Sequence, residues 1–186
     1  MTRKTALITG ASSGIGEAFA DVFAAEGFDL VITARREDRL RAVAERLERR
    51  HGGRVHVIVS DFARRDAVER LCAEIAARGL QIDALVNNAG YGVPGSYSAS
   101  PWTRHDEFLQ VLVTAVAELT HRLLPAMVQR GYGRIINVAS LAGLVPAPAG
   151  HTPLTSSTGI SPASRHGQFD FGRPMKCANS AYRKMS

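Results

Sequence analysis

The chain has 186 residues, of which 45% are hydrophobic, and a formal charge of +6; a sequence of this length and composition buries one sizeable core and reads as a single globular domain. The basic excess does not indicate a nucleic-acid binder. Its arginines alternate with acids, as in Arg35-Arg36-Glu37-Asp38-Arg39 and Glu45-Arg46-Leu47-Glu48-Arg49-Arg50, which describes a solvated helix face, and no recognition helix, zinc finger or aromatic RNA-binding signature accompanies them.

Met1-Thr2-Arg3-Lys4 leads into the first strand without an apolar signal region, and no apolar run approaches the length of a membrane span, so a cytoplasmic protein with no membrane partner is expected. The first strand centres on Ala6, Leu7 and Ile8. It is followed by Thr9-Gly10-Ala11-Ser12-Ser13-Gly14-Ile15-Gly16, which opens a segment of helical periodicity. A strand, a glycine-rich turn and a helix N-terminus make a phosphate cradle: glycine lets the main chain approach a pyrophosphate, and the unpaired N–H groups at the helix start favour negative charge. The spacing Gly-x-x-x-Gly-x-Gly differs from the common dinucleotide fingerprint, and on its own points only to a dinucleotide site.

Ile15, Ala18, Phe19, Val22 and Phe23 recur at helical spacing up to Gly27 and predict the face that this helix packs on a sheet. Phe28 to Thr33 reads as a buried strand, followed by a helix with Leu40, Val43, Ala44 and Leu47 on one stripe. After Gly52-Gly53 come a strand, Val55 to Val59, and a helix with Val68, Leu71, Cys72 and Ile75 as its stripe. Ile82 to Val86 is a fourth strand, ended by Asn87-Asn88-Ala89-Gly90 and a Gly/Ser/Pro-rich loop from Tyr91 to Pro101. A long helix from about His105 to Arg130 and a fifth strand, Arg134 to Val138, complete the regular part. Strands alternating with helices predict an α/β fold with a parallel sheet covered on both faces and ligands at its carboxyl edge.

Residues 1–146 form the expected nucleotide-binding domain. From about Ala147 to Ser186 no period survives among scattered Pro, Gly, Ser, Arg and His, which predicts an irregular or disordered tail. Cys72 and Cys177 lie far apart and suggest no disulfide framework, with Cys72 read as a buried thiol. The six histidines show no ligand spacing, so no metal is expected; His51 and His56, beside a turn and a strand, are read as solvated.

Thr9 to Gly16, Asn87-Asn88-Ala89-Gly90 and Gly133-Arg134-Ile135-Ile136-Asn137-Val138-Ala139-Ser140, in this order, resemble the short-chain dehydrogenase/reductase family over roughly residues 3–148. The stretch Leu119 to Met127 is similar to that family's long fifth helix. The resemblance implies a three-layer, Rossmann-like doubly wound parallel sheet with its C-terminal part missing. It also implies hydride transfer between a nicotinamide cofactor and a small carbonyl or alcohol substrate. Carried over by motif, Gly10, Ser12, Ser13, Gly14, Ile15 and Gly16 would hold the pyrophosphate, Asp61 would meet the adenine, and Asn88, Ala89 and Gly90 would line the ribose side. Ala34, Arg35 and Arg36 stand at the end of the second strand, where an acid would bind an adenosine ribose. Arg35 would instead contact a 2′-phosphate, which makes NADP (NADPH) the implied cofactor.

For catalysis the family uses a serine, a tyrosine whose phenol is acidified by a lysine one helical turn on, and an asparagine on the long helix. Ser140 occupies the serine position. The motif spacing places Pro153, Ser157 and Leu112 at the other three, and Tyr182 with Lys184 is too distant to replace the pair. The resemblance also leaves a family-type homo-oligomer without its dimer helix, and the apolar side of the long helix (Leu112, Val116, Leu119, Leu123) without a partner. Three readings follow: an impaired or inactive NADP-dependent oxidoreductase, a non-catalytic NADP-binding or interaction protein, and a frame-shifted fragment of an active enzyme.

Overall fold

The computed structural model describes residues 3–93 and 97–140. The expected tail at 147–186, with positions 153, 157, 177, 182 and 184, lies outside the described residues, as does the centre of the loop between Tyr91 and Pro101. Five strands form one parallel sheet: β1 (Thr5–Thr9), β2 (Asp29–Ala34), β3 (Val55–Val59), β4 (Ala84–Asn87) and β5 (Arg134–Asn137), in the spatial order β3-β2-β1-β4-β5. Leu7 lies beside Val31 on one flank and Leu85 on the other. The chain runs outward from β1 through β2 to β3, then crosses back to β4 on the opposite side. The topological switch point therefore falls between β1 and β4, where a crevice opens at the carboxyl ends of the strands.

Alternation along the strands splits the core into two layers. Leu7, Val31, Leu85 and Ile135 face α3 (Ala67–Ala77) and the long helix, whereas Ile8, Leu30, Ile32 and Val86 face α1 (Gly14–Ala25) and α2 (Glu37–His51). In α2 the predicted stripe Leu40, Val43, Ala44 and Leu47 is buried. Full burial of a leucine such as Leu47 contributes about 1.5–3 kcal/mol. The helix ends at Gly52, whose φ of +67° is the left-handed cap that lets its N–H reach the Glu48 carbonyl at 2.9 Å.

The predicted face of α1 requires correction. Gly16, Ala20 and Ala24 are buried and Phe19 and Phe23 pack beside them, whereas Ile15 and Val22 are 61% and 58% exposed and Ala18 is also on the outside. Close approach of this helix to the sheet selects the small residues. A Cβ at Gly16 would fall on the Gly10 carbonyl oxygen, so hydrophobicity alone indicates the wrong stripe.

The long helix begins earlier than its periodicity predicts and runs as α4 (Trp102–Leu109), a π-turn (Gln110–Thr114) and α5 (Ala115–Gln129). With 28 residues and a mean hydropathy of 1.4 over its most apolar stretch, it is long and apolar enough to cross a membrane, contrary to the reading that no run approaches that length. In this fold Phe108, Leu119 and Met127 are at most 1% exposed and pack against the sheet, although only 22% of the apolar stretch is buried. Of the face expected to lack a dimer partner, Leu119 is buried in the sheet-facing cluster and Leu123 packs against it, while Leu112 and Val116 are half-buried.

Cys72 is a free thiol on the half-buried flank of α3, and burial raises its pKa. His51 is not solvated as expected. Its side chain is 14% exposed and its Nε2 lies 3.1 Å from Asp21 Oδ1, tying the end of α2 to α1. Among the described residues no cluster of His, Cys, Asp or Glu could hold a metal.

Candidate functional site

The two motifs recognised on either side of the sheet meet at the switch point. Thr9 Oγ1 accepts the backbone N–H of Asn88 and that of Ala89, each at 2.9 Å, and donates to the Val86 carbonyl at 3.3 Å. In return Asn88 Nδ2 donates to the Thr9 carbonyl at 3.0 Å and the Gly10 carbonyl at 3.4 Å. Asn88 thus closes the base of the glycine turn. It does not line the groove itself.

Gly10 has φ +69°, and a Cβ there would come within 2.9 Å of both Ala89 Cα and Asn88 Nδ2. Only glycine lets β1 turn into the cradle this close to the β4 loop. Ser13, the residue before α1, is extended at φ −174° and makes no capping bond to the helix. The first N–H groups of α1 therefore lack a side-chain cap. In front of them the space beside Gly14 is open, with nothing within 4 Å of a Cβ placed there. This geometry fits a pyrophosphate at a helix N-terminus.

From the cradle a cavity of about 180 Å³ extends along the ends of β2 and β3. Of the residues predicted from sequence, Gly10, Ser12, Ser13, Arg35, Asp61, Ala89 and Gly90 line it, whereas Gly14, Ile15, Gly16 and Asn88 stand outside it. Asp61 also turns its own loop, its Oδ1 accepting the Ala63 N–H at 3.2 Å. Six further lining residues carry no site role in the sequence reading: Ala34, Arg36, Ser60, Phe62, Tyr91 and Val111. The Arg36 guanidinium donates through Nη2 to the Ser12 hydroxyl at 3.0 Å and the Ser13 hydroxyl at 2.8 Å. Its position directly after Arg35 was the available signal. Nothing local in sequence announces Val111, which reaches the groove from the π-turn.

Tyr91 stands at the groove wall, edge-on to Phe108 at 5.8 Å and beneath the Arg35 guanidinium at 5.9 Å. Burial, with Glu107 adding to it, pushes its phenol up from the ordinary value. Leu112, in the place assigned to an asparagine, is half-buried and lies with Cδ2 only 2.8 Å from where a Gly90 Cβ would be. Ser140 follows β5 and is exposed, outside the cavity. The two strands beside it are joined at their ends by Asn87 Nδ2, which donates to Asn137 Oδ1 at 2.9 Å and Thr120 Oγ1 at 3.3 Å.

Comparison with known proteins agrees with this geometry. The family model described as short chain dehydrogenase matches residues 4–166, continuing past residue 148 where the motif resemblance stops. A sulfoacetaldehyde reductase of Chromohalobacter salexigens is 40% identical over 147 residues, covering 77% of this chain and 57% of that protein. L-sorbose reductase from Gluconobacter frateurii, solved with NADPH and L-sorbose, superposes with a TM-score of 0.77 at 35% identity, over 85% of this chain and 59% of that one. A short-chain dehydrogenase from Sphingobium yanoikuyae in complex with NADPH gives a TM-score of 0.71 at 37% identity, over 77% and 56% of the two chains. The chain spans about half the length of the curated relatives it matches. The match over most of its residues, the parallel sheet and the two motifs joined at the switch point place this chain in the short-chain dehydrogenase family.

Proposed function

We propose that this chain binds NADP(H) and belongs to an oxidoreductase acting on a small carbonyl or alcohol, with its own catalysis impaired or lost. The observation that carries the cofactor reading is the Arg36 guanidinium seated on the Ser12 and Ser13 hydroxyls, at the end of a β2 that offers no acid. An acid there would accept a ribose 2′-hydroxyl; arginines there favour a 2′-phosphate by charge-assisted hydrogen bonds. The NADPH present in two similar structures supports the same reading. So do the names of the sulfoacetaldehyde and L-sorbose reductases for a small carbonyl substrate.

Hydride transfer to a carbonyl carbon or from a carbinol carbon is the chemistry that a bound nicotinamide would supply here. The chain's own residues would hold the dinucleotide: the turn at Gly10 and the start of α1 would receive the pyrophosphate, and Arg35 and Arg36 the 2′-phosphate. Ser140 would hold the substrate oxygen. The proton has no evident carrier, because Pro153 and Ser157 stand where a tyrosine and a lysine would be needed.

A second reading, a non-catalytic NADP-binding protein, is favoured by Leu112, which presents hydrocarbon to Gly90 where a polar group would be required. NADPH titration of the purified chain followed by turnover against a panel of carbonyl compounds tests both readings. Binding with turnover supports the enzyme, binding without turnover supports the second reading, and absence of binding overturns both. The nucleotide sequence tests the frame-shift alternative, since a Tyr-x-x-x-Lys in another frame near residue 153 would support it.

A further inference from the structure

Arg35 and Arg36 are adjacent at the mouth of one groove, but different devices hold them. Arg36 is fixed by two serine hydroxyls. Among the described residues Arg35 makes no hydrogen bond or ion pair, and the group it rests on is the ring of Tyr91, 5.9 Å from guanidinium carbon to centroid. We propose that Tyr91 is a positioning residue for Arg35, and that through it Tyr91 sets part of the preference for a 2′-phosphorylated dinucleotide. This inference rests on the NADP reading above.

Three tiers make the device. Phe108, 1% exposed on α4, cannot move without opening the core. It meets Tyr91 edge to face, at 5.8 Å and 90° between ring planes, which holds the Tyr91 ring at a fixed tilt on the groove wall. The face of that ring attracts a cation through its quadrupole, and Arg35 lies within the roughly 6 Å over which the attraction acts. Without the ring, an exposed arginine would spread over its rotamers or turn toward Asp61, which lines the same groove. Either outcome removes charge from the 2′-phosphate position. A guanidinium held in place before binding loses less side-chain entropy when the phosphate arrives. The attraction needs a π-face and not the phenolic oxygen, so phenylalanine should serve and an aliphatic side chain should not.

The test is the ratio of NADPH to NADH affinity, measured by titration on one sample of each variant, because a loss of folded protein moves both constants together and leaves their ratio unchanged. Tyr91→Phe should keep the ratio of the unmodified chain. Tyr91→Leu should lower it by about two- to fivefold. In an Arg35→Ala background Tyr91→Leu should lower it no further. If Tyr91→Leu does not fold, Tyr91→Met fills similar space without a π-face and replaces it. An unchanged ratio in the aliphatic variants, or an equal fall with and without Arg35, overturns the inference and leaves the NADP reading standing. Equal affinity of the unmodified chain for the two cofactors overturns both.

Discussion

Thr9 Oγ1 accepts the backbone N–H of Asn88 at 2.9 Å, and the side-chain amide of Asn88 donates back to the Thr9 carbonyl at 3.0 Å. This reciprocal pair crosses the switch point and holds the glycine turn against the β4 loop. Thr9→Val keeps the shape and removes the acceptor that serves both Asn88 and Ala89. Two partly buried N–H groups would then lose their partner, at about 1–3 kcal/mol each if water does not replace it. Urea denaturation should show a loss of about 2 kcal/mol or more, with Thr9→Ser close to the unmodified chain. A Thr9→Val midpoint equal to that of Thr9→Ser would contradict this account.

Arg36 is the better-anchored of the two candidate phosphate ligands. Arg36→Ala should weaken NADPH binding by about tenfold, near the lower end for a charge-assisted contact because the site is exposed. NADH affinity should change little. Isothermal titration with both cofactors checks the prediction, and an equal loss for both would place Arg36 in general packing of the turn.

Asp21 links α1 to the end of α2. Its carboxyl is held below the ordinary value of 3.8, first by the hydrogen bond with His51 and then, against a burial effect that raises it, by the charges of Arg50, His51 and Arg46. A carboxylate depressed in the folded state contributes stability that is fully present above its unfolded pKa and is lost as pH falls through the folded one. The melting temperature should therefore drop as pH falls through and below 3.8, and the drop should be shallower in Asp21→Asn. Parallel curves for the two proteins would remove Asp21 from the acid transition.

Catalysis is expected to be low. A positioned acid/base contributes about 10²–10⁴-fold, so turnover should lie at least that far below that of an NADPH-dependent relative. Pro153→Tyr with Ser157→Lys should not restore it, because the two groups need a helix to project them and the sequence from Pro153 to Pro162 has two prolines, a glycine and a Ser/Thr cluster in place of strong helix formers. Steady-state assays of the double variant decide this. Robust turnover by the unmodified chain would show that positions 153 and 157 are not the ones that matter.

Local patterning was enough to read α2 and α3, because each helix buries one face and the spacing of its apolar residues reports that face directly, and the strands, because a strand covered on both faces reads as a short apolar run. The glycine octet and the Asn87–Gly90 stretch were legible for a related reason: a turn that must bring main chain against a ligand or another loop tolerates few side chains. Periodicity failed at α1, where the demand is for small size, so Gly16, Ala20 and Ala24 face inward while Ile15 and Val22 face out. It failed again at Leu119 and Leu123, whose partner across the sheet layer no spacing within one helix can identify. Only the tertiary structure joined Thr9 to Asn88, seated Arg36 on Ser12 and Ser13, and stacked Arg35, Tyr91 and Phe108 at one groove wall. Those contacts depend on the crossover that returns the chain to the far side of β1, which brings residues far apart in sequence to the same carboxyl edge.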